Sequence, residues 1–313
     1  TDLYEQARVV LQKHFNAKYA YEMLFTPGTT FGINVIASGF SNLLKTGDEI
    51  IVSALEHHSN IVPWQMLCEK TGAELKVIPM NEEGSLIMSE YDSLLSEKTR
   101  LVFCNHISNA LGTINPVKEI IEKAHHYGAA VLIDGAQSTP HMKVDFQKLD
   151  VDFYVTSAHK ICGPTGIGLL YGKKEWLEKL PPYQGGGEMI ETVSFEKTTY
   201  AGLPHKFEAG TPNICGGIAF GVAIDYMNSI GFDAISKYEQ ELLKYGTQEL
   251  LKISGVKIYG TANKTAVISF NVANIHPYDI GSILDKLGIA VRTGHHCAQP
   301  IMEFYKIPGT IRA

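Results

Sequence analysis

From Met23 to about Gly172 the chain alternates short apolar runs with longer stretches of helical period, and this alternation leaves few folds open. The apolar runs predict strands at Met23–Phe25, Glu49–Ala54, Leu75–Pro79, Leu101–Asn105, Ala130–Ile133, Phe153–Thr156 and Ile167–Tyr171. The stretches between them predict helices near Thr30–Leu44, Asn60–Thr71, Ser89–Ser96 and Val117–Tyr127. Strands that read as continuous apolar runs are buried on both faces. Helices between them imply βαβ units and a mostly parallel sheet. In such sheets ligands sit at the carboxyl ends of the strands.

The pattern breaks at Gln184-Gly-Gly-Gly-Glu188, which reads as a flexible loop. Two long helical stretches follow, Ile214–Ile230 and Phe232–Ile253. Strands are expected at Val256–Tyr259, Ala266–Val272 and Ile289–Arg292, with a helix at Tyr278–Leu287. The expected class is therefore α/β, with a large domain over residues 1–228 and a smaller α+β domain over 229–313. A length of 313 residues suits about two domains. The N-terminal helix, starting at Thr1, is expected to bury Leu3, Ala7, Val10, Leu11 and Phe15. The first residue is not methionine and the last three are Ile311, Arg312 and Ala313, so we expect an internal fragment of a longer protein.

A net charge of −6 without a basic stripe argues against nucleic acid as a partner. No apolar run approaches the roughly 20 residues of a membrane span. The five cysteines are scattered and form no CxxC, which suits a reducing, cytoplasmic setting; a targeting segment would lie outside this chain. Cys68, Cys104, Cys162 and Cys215 are expected to be packing residues.

Five constellations carry chemistry. The run Val151–Thr156 delivers Lys160 from a strand end into a glycine-lined turn, Gly163 to Gly168. A lysine so placed suits a Schiff base, because the amine is fixed, desolvated and given room for a planar partner. The alternative is a surface lysine at a strand end. Asp134, in Asp134-Gly-Ala-Gln137, ends a buried strand, where a carboxylate needs a cation. A protonated pyridine nitrogen would serve, with Gln137 reaching a phenolic oxygen beside it; the alternative is a helix-capping Asp. Thr29 and Thr30, after Gly28, offer N–H groups and hydroxyls at a helix start. That is a phosphate cup or a plain N-cap, and Ser157 and His159 would add donors to it. His57 and His58 follow a strand; adjacent residues on an extended chain point apart, so one of the two faces the site.

The fifth constellation is Arg292-Thr-Gly-His-His-Cys297. A cysteine in a Gly- and His-rich loop near an arginine suits a reactive thiolate. A metal on His295, His296 and Cys297 is the rival reading, but three consecutive residues do not easily converge on one ion, and no metal is expected. Gly163-x-x-Gly-x-Gly168 lacks the spacing and the following helix of a dinucleotide fingerprint.

Taken in order, these motifs, with Phe207-Glu-Ala-Gly-Thr-Pro-Asn213, resemble the group II, SUF-type cysteine desulfurases of the class V, fold-type I pyridoxal 5'-phosphate enzymes. The resemblance implies that Lys160 bonds the cofactor, Asp134 pairs with its pyridine nitrogen, Gln137 bonds its phenolic oxygen and His57 stacks on its ring. It implies that Thr29, Ser157 and His159 hold the phosphate, beside Thr30, and that Thr211 reaches it from the second subunit of a homodimer. Asn109 would contact cofactor or substrate, Arg312 would clamp the substrate carboxylate, and Cys297 would accept sulfur. The implied activity converts L-cysteine, and by extension L-selenocysteine, to alanine. A SufE- or SufU-like acceptor protein would then take the persulfide for iron–sulfur cluster assembly. Ala158 stands where a glycine is common in the family, and the family's N-terminal segment and everything after the Arg312 region lie outside the chain. Two other readings share these residues. One is a class V aminotransferase or lyase in which Cys297 is incidental, distinguished by its products. The other is a non-enzymatic metal- or partner-binding domain, distinguished by its lack of a cofactor absorbance.

Overall fold

The computed structural model describes residues 2–313, so Thr1, the expected start of the first helix, lies outside the described residues. Helix α1 (Asp2–His14) leads into β1 (Met23–Thr26), α2 (Thr29–Phe40), β2 (Glu49–Ser53), α3 (Val62–Thr71) and β3 (Glu74–Ile78). Then come α4 (Met88–Leu94), β4 (Thr99–Asn105), α5 (Val117–His126), β5 (Ala130–Asp134), α6 (Phe146–Leu149), β6 (Phe153–Ser157), β7 (Gly168–Gly172) and α7 (Lys174–Lys179). Seven strands form one sheet in the order β1-β7-β6-β5-β4-β2-β3. Strands β2 to β6 run parallel, and β7 is antiparallel to both β6 and β1. This is the mostly parallel α/β sheet that the apolar runs imply.

The second half begins with a hairpin, β8 (Ile190–Val193) and β9 (Thr198–Tyr200), where the sequence pattern shows only loop. It continues with α8 (Ile214–Ile230), α9 (Phe232–Leu250), β10 (Val256–Tyr259), β11 (Ser269–Val272), α10 (Pro277–Lys286), β12 (Arg292–Gly294), α11 (Gln299–Tyr305) and β13 (Thr310–Arg312). The last four strands form an antiparallel sheet, β10-β11-β13-β12, around Leu243, Ile268, Phe270 and Ile311. Helix α11 buries Ile301 and Met302 in the core of the large sheet, so the loop before it is anchored there. Among the described residues no single helix is long and apolar enough to cross a membrane.

Why the apolar runs become central strands is visible in their burial. Every residue of β5 and β6 is buried. Their β-branched and aromatic side chains alternate between two cores. Val131, Ile133 and Tyr154 share one with α1, α4, α5 and α8; Leu132, Phe153 and Val155 share the other with α2, α3 and α7. Helix α5 shows the matching stripe, burying Val117, Ile120, Ile121 and Ala124. Helix α3 starts with Pro63 in its first turn and stops at Gly72, which is left-handed and returns its N–H to Cys68.

Three expectations need correction. Leu3 is 61% exposed, and the buried face of α1 is Tyr4, Ala7, Arg8, Leu11 and His14. Arg8 can be inside because it pairs with Glu5 and Glu208 at 2.9 and 2.7 Å. The strand expected at Ile289–Arg292 starts only at Arg292, where β13 supplies a pairing partner. Cys162 and Cys215 are exposed rather than packed, because the Lys160 turn and the start of α8 lie at the surface there; Cys104 is buried and Cys68 half-buried.

The turn after β5 is set by close packing. A Cβ on Gly135 would fall inside the Tyr154 ring. That ring cannot retreat, because its hydroxyl is held by Ser138 at 2.6 Å and His106 at 2.9 Å. Gly135→Ala should therefore destabilise the fold by roughly 1–3 kcal/mol or more, as overpacking does, and displace Asp134. A melting temperature equal to that of the parent would show slack in this turn that the packing does not reveal.

Candidate active site

The carboxyl ends of β4, β5 and β6, with the start of α2, enclose a cavity of about 250 Å³. Thr29, Thr30, His57, Asn109, Asp134, Gln137, Ser157, His159 and Lys160 all line it. The doubly wound topology explains the convergence, since each parallel strand delivers its following residue to the same edge.

Lys160 sits in a 3-10 turn, Ala158–Lys160, directly after β6. Burial is the largest influence on its amine and pushes its pKa down, and Arg312 and Arg292 push the same way; Asp134 opposes them. Asp134 is buried at the end of β5 and accepts the Ala136 N–H at 2.9 Å. Burial raises its pKa, while Lys160 and the Ala136 N–H lower it. The two charges feel each other, yet among the described residues no ion pair within 4.0 Å joins them. The space between a desolvated amine and a buried carboxylate fits a flat group with an electrophilic carbon at one end and a protonated nitrogen at the other.

The phosphate end fits as well. Gly28 has φ +155°, a conformation suited to glycine, and caps α2. The Thr29 N–H reaches Ser157 Oγ at 2.9 Å, and the two hydroxyls lie 2.8 Å apart. Two hydroxyls and a helix N-terminus thus share one corner of the cavity. A Cβ on Gly168 would come within 2.7 Å of Gly28 Cα, so β7 can approach this corner only with a glycine there.

His57 and His58 divide their labour. His57 lines the cavity and its Nδ1 accepts the Ser59 N–H at 3.0 Å, so the ring proton resides on Nε2. Burial, then Lys160, His58 and Arg292, pull its pKa down to about 4, and the ring is neutral. His58 instead docks the cysteine loop: its N–H donates to the Cys297 carbonyl at 2.7 Å, and its Nε2 accepts from the Gln299 N–H at 3.0 Å.

Cys297 is half-buried, with Arg292 Nη2 at 3.7 Å from its Sγ. His296 and Cys297 are both left-handed, at φ +55° and +56°, an uncommon pair for side chains with a Cβ. The loop is held there from three sides. Asn109 Nδ2 donates to the His296 carbonyl at 2.6 Å, the His296 ring meets Thr310 Oγ1 at 2.9 Å, and the His58 N–H takes the Cys297 carbonyl. His295 is exposed while His296 is buried, and among the described residues no three His, Cys, Asp or Glu side chains gather closely enough to hold one ion. Arg312 donates to the Asn109 carbonyl at 2.7 Å and bears electrostatically on Cys297, Arg292 and Lys160. Among the described residues Asn109 Oδ1 is buried without a partner, an acceptor available to a ligand.

Cys297 and Arg312 stand outside the lining of this cavity, and Thr211, expected to serve the site of a second subunit, does not line it in its own chain. Thr211 is exposed and lines a second cavity with Gln184 and Pro212. Arg292 lines the main cavity, although the sequence gives it a role only through the cysteine. The sequence gives Glu56 and Asn105 no role of their own: Glu56 only opens the motif that carries His57, Asn105 only ends a predicted strand, and nothing local marks the carboxylate as buried.

The whole chain, residues 1–313, matches the aminotransferase class-V family. It is 51% identical to a cysteine desulfurase of Enterobacter sp. (strain 638), over all of this chain and 78% of that protein. It is 48% identical to a probable cysteine desulfurase of Halalkalibacterium halodurans, over all of this chain and 77% of the relative. Among solved structures, the cysteine desulfurase CsdA from Escherichia coli superposes with a TM-score of 0.97 at 36% identity, covering all of this chain and 78% of that one. An apo cysteine desulfurase from Thermococcus onnurineus NA1 gives 0.97 at 40% identity, with the same coverage. The chain belongs to the aminotransferase class-V family, among relatives that are cysteine desulfurases.

Burial also sets a pH response. His106 is buried against Tyr154, and burial pulls its pKa down to about 4 from an ordinary 6.5. Between those values the unfolded chain binds a proton that the folded chain does not. The contribution of His106 is thus complete above about pH 6.5 and is lost as the pH falls towards 4. Glu56, raised to about 7 from 4.5, acts with the opposite sign in an overlapping window. His106→Asn should therefore show a shallower drop in melting temperature between about pH 7 and pH 5 than the parent. Parallel melting curves would mean that His106 takes up its proton without unfolding.

Proposed function

We propose that this enzyme is a pyridoxal-phosphate-dependent desulfurase that converts L-cysteine to L-alanine and leaves the sulfur as a persulfide on Cys297. The observation that carries the reading is a desolvated lysine and a buried aspartate facing one cavity, with an arginine-flanked thiol beside it. Bound there, pyridoxal phosphate would supply an electron sink that makes the Cα proton of an amino acid removable. The chain's own residues would do the rest.

Lys160, its amine pushed towards the neutral form by burial, would hold the cofactor carbonyl carbon and move a proton at the substrate Cα. Asp134 would keep the pyridine nitrogen protonated, and the neutral His57 ring would lie against its face. Thr29, Thr30, Ser157 and His159 would seat the phosphate, and Gln137 the phenolic oxygen. Arg312 would meet the substrate carboxylate, with Asn109 beside it. The Cys297 thiolate would attack the substrate sulfur. The carbon–sulfur bond would break with its electron pair passing to carbon, which takes up a proton to give alanine.

L-Selenocysteine fits the same chemistry, because its carbon–selenium bond is the easier to cleave. A short, histidine-rich cysteine loop supports the SUF-type grouping and transfer of sulfur to a SufE- or SufU-like protein for iron–sulfur cluster assembly. The five free thiols suit a cytoplasmic setting. Thr211 and Gln184, away from their own chain's Lys160, support a homodimer in which Thr211 serves the partner's phosphate.

After loading with the cofactor and borohydride treatment, the phosphopyridoxyl mass should sit on the peptide containing Lys160, and Lys160→Ala should lose both that mass and the visible absorbance band. Label on another lysine would remove the assignment. Cys297→Ala should keep the band yet lose most alanine release, with no extra sulfur on its peptide. Full alanine release by that variant would leave an aminotransferase-like or lyase reading in its place. Sedimentation should give a dimer, and a fully active monomer would sink the shared site.

A further inference from the structure

Directly beside His57 lies a carboxyl group that no step above uses. Glu56 is fully buried, and its two oxygens meet three hydrogen-bonding groups. The Asn105 N–H donates to Oε1 at 2.7 Å, the Ser53 hydroxyl bonds the same oxygen, and Asn60 Nδ2 donates to Oε2 at 2.7 Å. Asn60 in turn accepts the Trp64 indole N–H on Oδ1 at 2.9 Å. Trp64 is itself fully buried and stacked on Phe103.

The polarity of this chain of bonds is fixed from both ends. An indole N–H can only donate, so the Asn60 amide must turn its oxygen to Trp64 and its NH2 to Glu56. A backbone N–H can only donate, so the other Glu56 oxygen must accept from Asn105. Both oxygens of Glu56 are therefore obliged to accept. Only the Ser53 hydroxyl can reverse, which gives a proton on the Oε1 side somewhere to point. Burial first, and Asp134 in the same direction, raise this carboxyl to about 7.

What the bonds join is the important point. Asn60 closes the 3-10 turn His58–Asn60, which begins directly after His57. Asn105 ends β4, lines the cavity and pairs in register with Asp134 on β5. Asn105 also returns its side-chain amide to the Leu55 carbonyl and takes the Asn115 amide at 2.6 Å. We propose that Glu56 is a positioning residue: it clamps the segment carrying His57 to the strand end beside Asp134, and so fixes the distance between the stacking ring and the floor of the cofactor cavity. This rests on the cofactor reading above and adds to it a residue that does not touch the cofactor.

A buried Glu that merely fills space would tolerate Gln, which has the same shape. The clamp would not, because an amide NH2 on the Asn60 side meets a donor that cannot turn, and one on the Asn105 side meets another. Asn60→Asp fails for the mirror reason, setting two acceptors against each other. The double variant Glu56→Gln/Asn60→Asp restores every donor–acceptor pair. The new amide NH2 at position 56 would donate to the new carboxylate at position 60. That carboxylate would still accept from Trp64, and the amide oxygen at position 56 would still accept from Asn105. The test is this cycle on the full chain, read by the dissociation constant for pyridoxal phosphate, the visible circular dichroism of the bound cofactor, and amide exchange at residues 57–61 without cofactor.

Each single variant should weaken cofactor binding by about tenfold or more, the loss expected for an unpaired buried polar group. Each should also shift the dichroism band and speed exchange at residues 57–61. The double variant should return to within about threefold of the parent on the same scale. Glu56→Gln with parental affinity, dichroism and exchange overturns the proposal, as does a double variant no better than the singles. If a single variant fails to fold, a folded double variant still supports the clamp. If the parent binds no pyridoxal phosphate, the cofactor reading falls, and the exchange data alone decide whether the clamp exists.

Discussion

A buried carboxyl and a half-buried amine, at the ends of neighbouring strands and not in contact, organise this molecule. Asp134 closes β5 and Lys160 follows β6, and both are pushed towards neutrality by the same loss of water. Direct pairing would relax them, and the fold withholds it by setting a cavity between their heads. A site that keeps two such groups apart is primed for a ligand that can touch both. The sheet can sustain this because its central strands are anchored by two hydrophobic layers, one on each face.

Around this pair the remaining groups are fixed by bonds between backbone and side chain rather than by long flexible reach. The Thr29 N–H meets Ser157, His57 meets the Ser59 N–H, and Arg312 meets the Asn109 carbonyl. The second sheet contributes through β12 and β13, which bring Arg292 and Arg312 side by side in register. Positive charge from two separate strands thus gathers over one thiol.

Much of the large sheet is legible in the sequence because both faces of its strands are covered. A run such as Val131–Ile133 has no polar alternation to blur it, and a chemistry-bearing residue follows close behind. The second half is less legible for physical reasons. Strands β12 and β13 are three residues long and are defined by each other, so neither shows a period of its own. Leu3 belongs to the helical stripe by its spacing, yet Arg8 takes the inner face because Glu5 and Glu208 neutralise it. Glu56 is hidden in the same way. Ser53 and Asn60 are its close neighbours in the chain, but Asn105 arrives only when β2 and β4 pair, and a single carboxylate letter carries no sign of that.

The Cys297 loop has a mechanical consequence. Its two left-handed residues are tied through consecutive carbonyls, one to Asn109 and the next to His58. With both peptide groups pinned, the sulfur can sweep only the arc allowed by rotation about its own Cα–Cβ bond. It is a fixed berth rather than a swinging arm. Any molecule that exchanges an atom with this sulfur has to travel to it and enter the space between Arg292 and the floor of the site, so the reach required for the exchange belongs to the visitor.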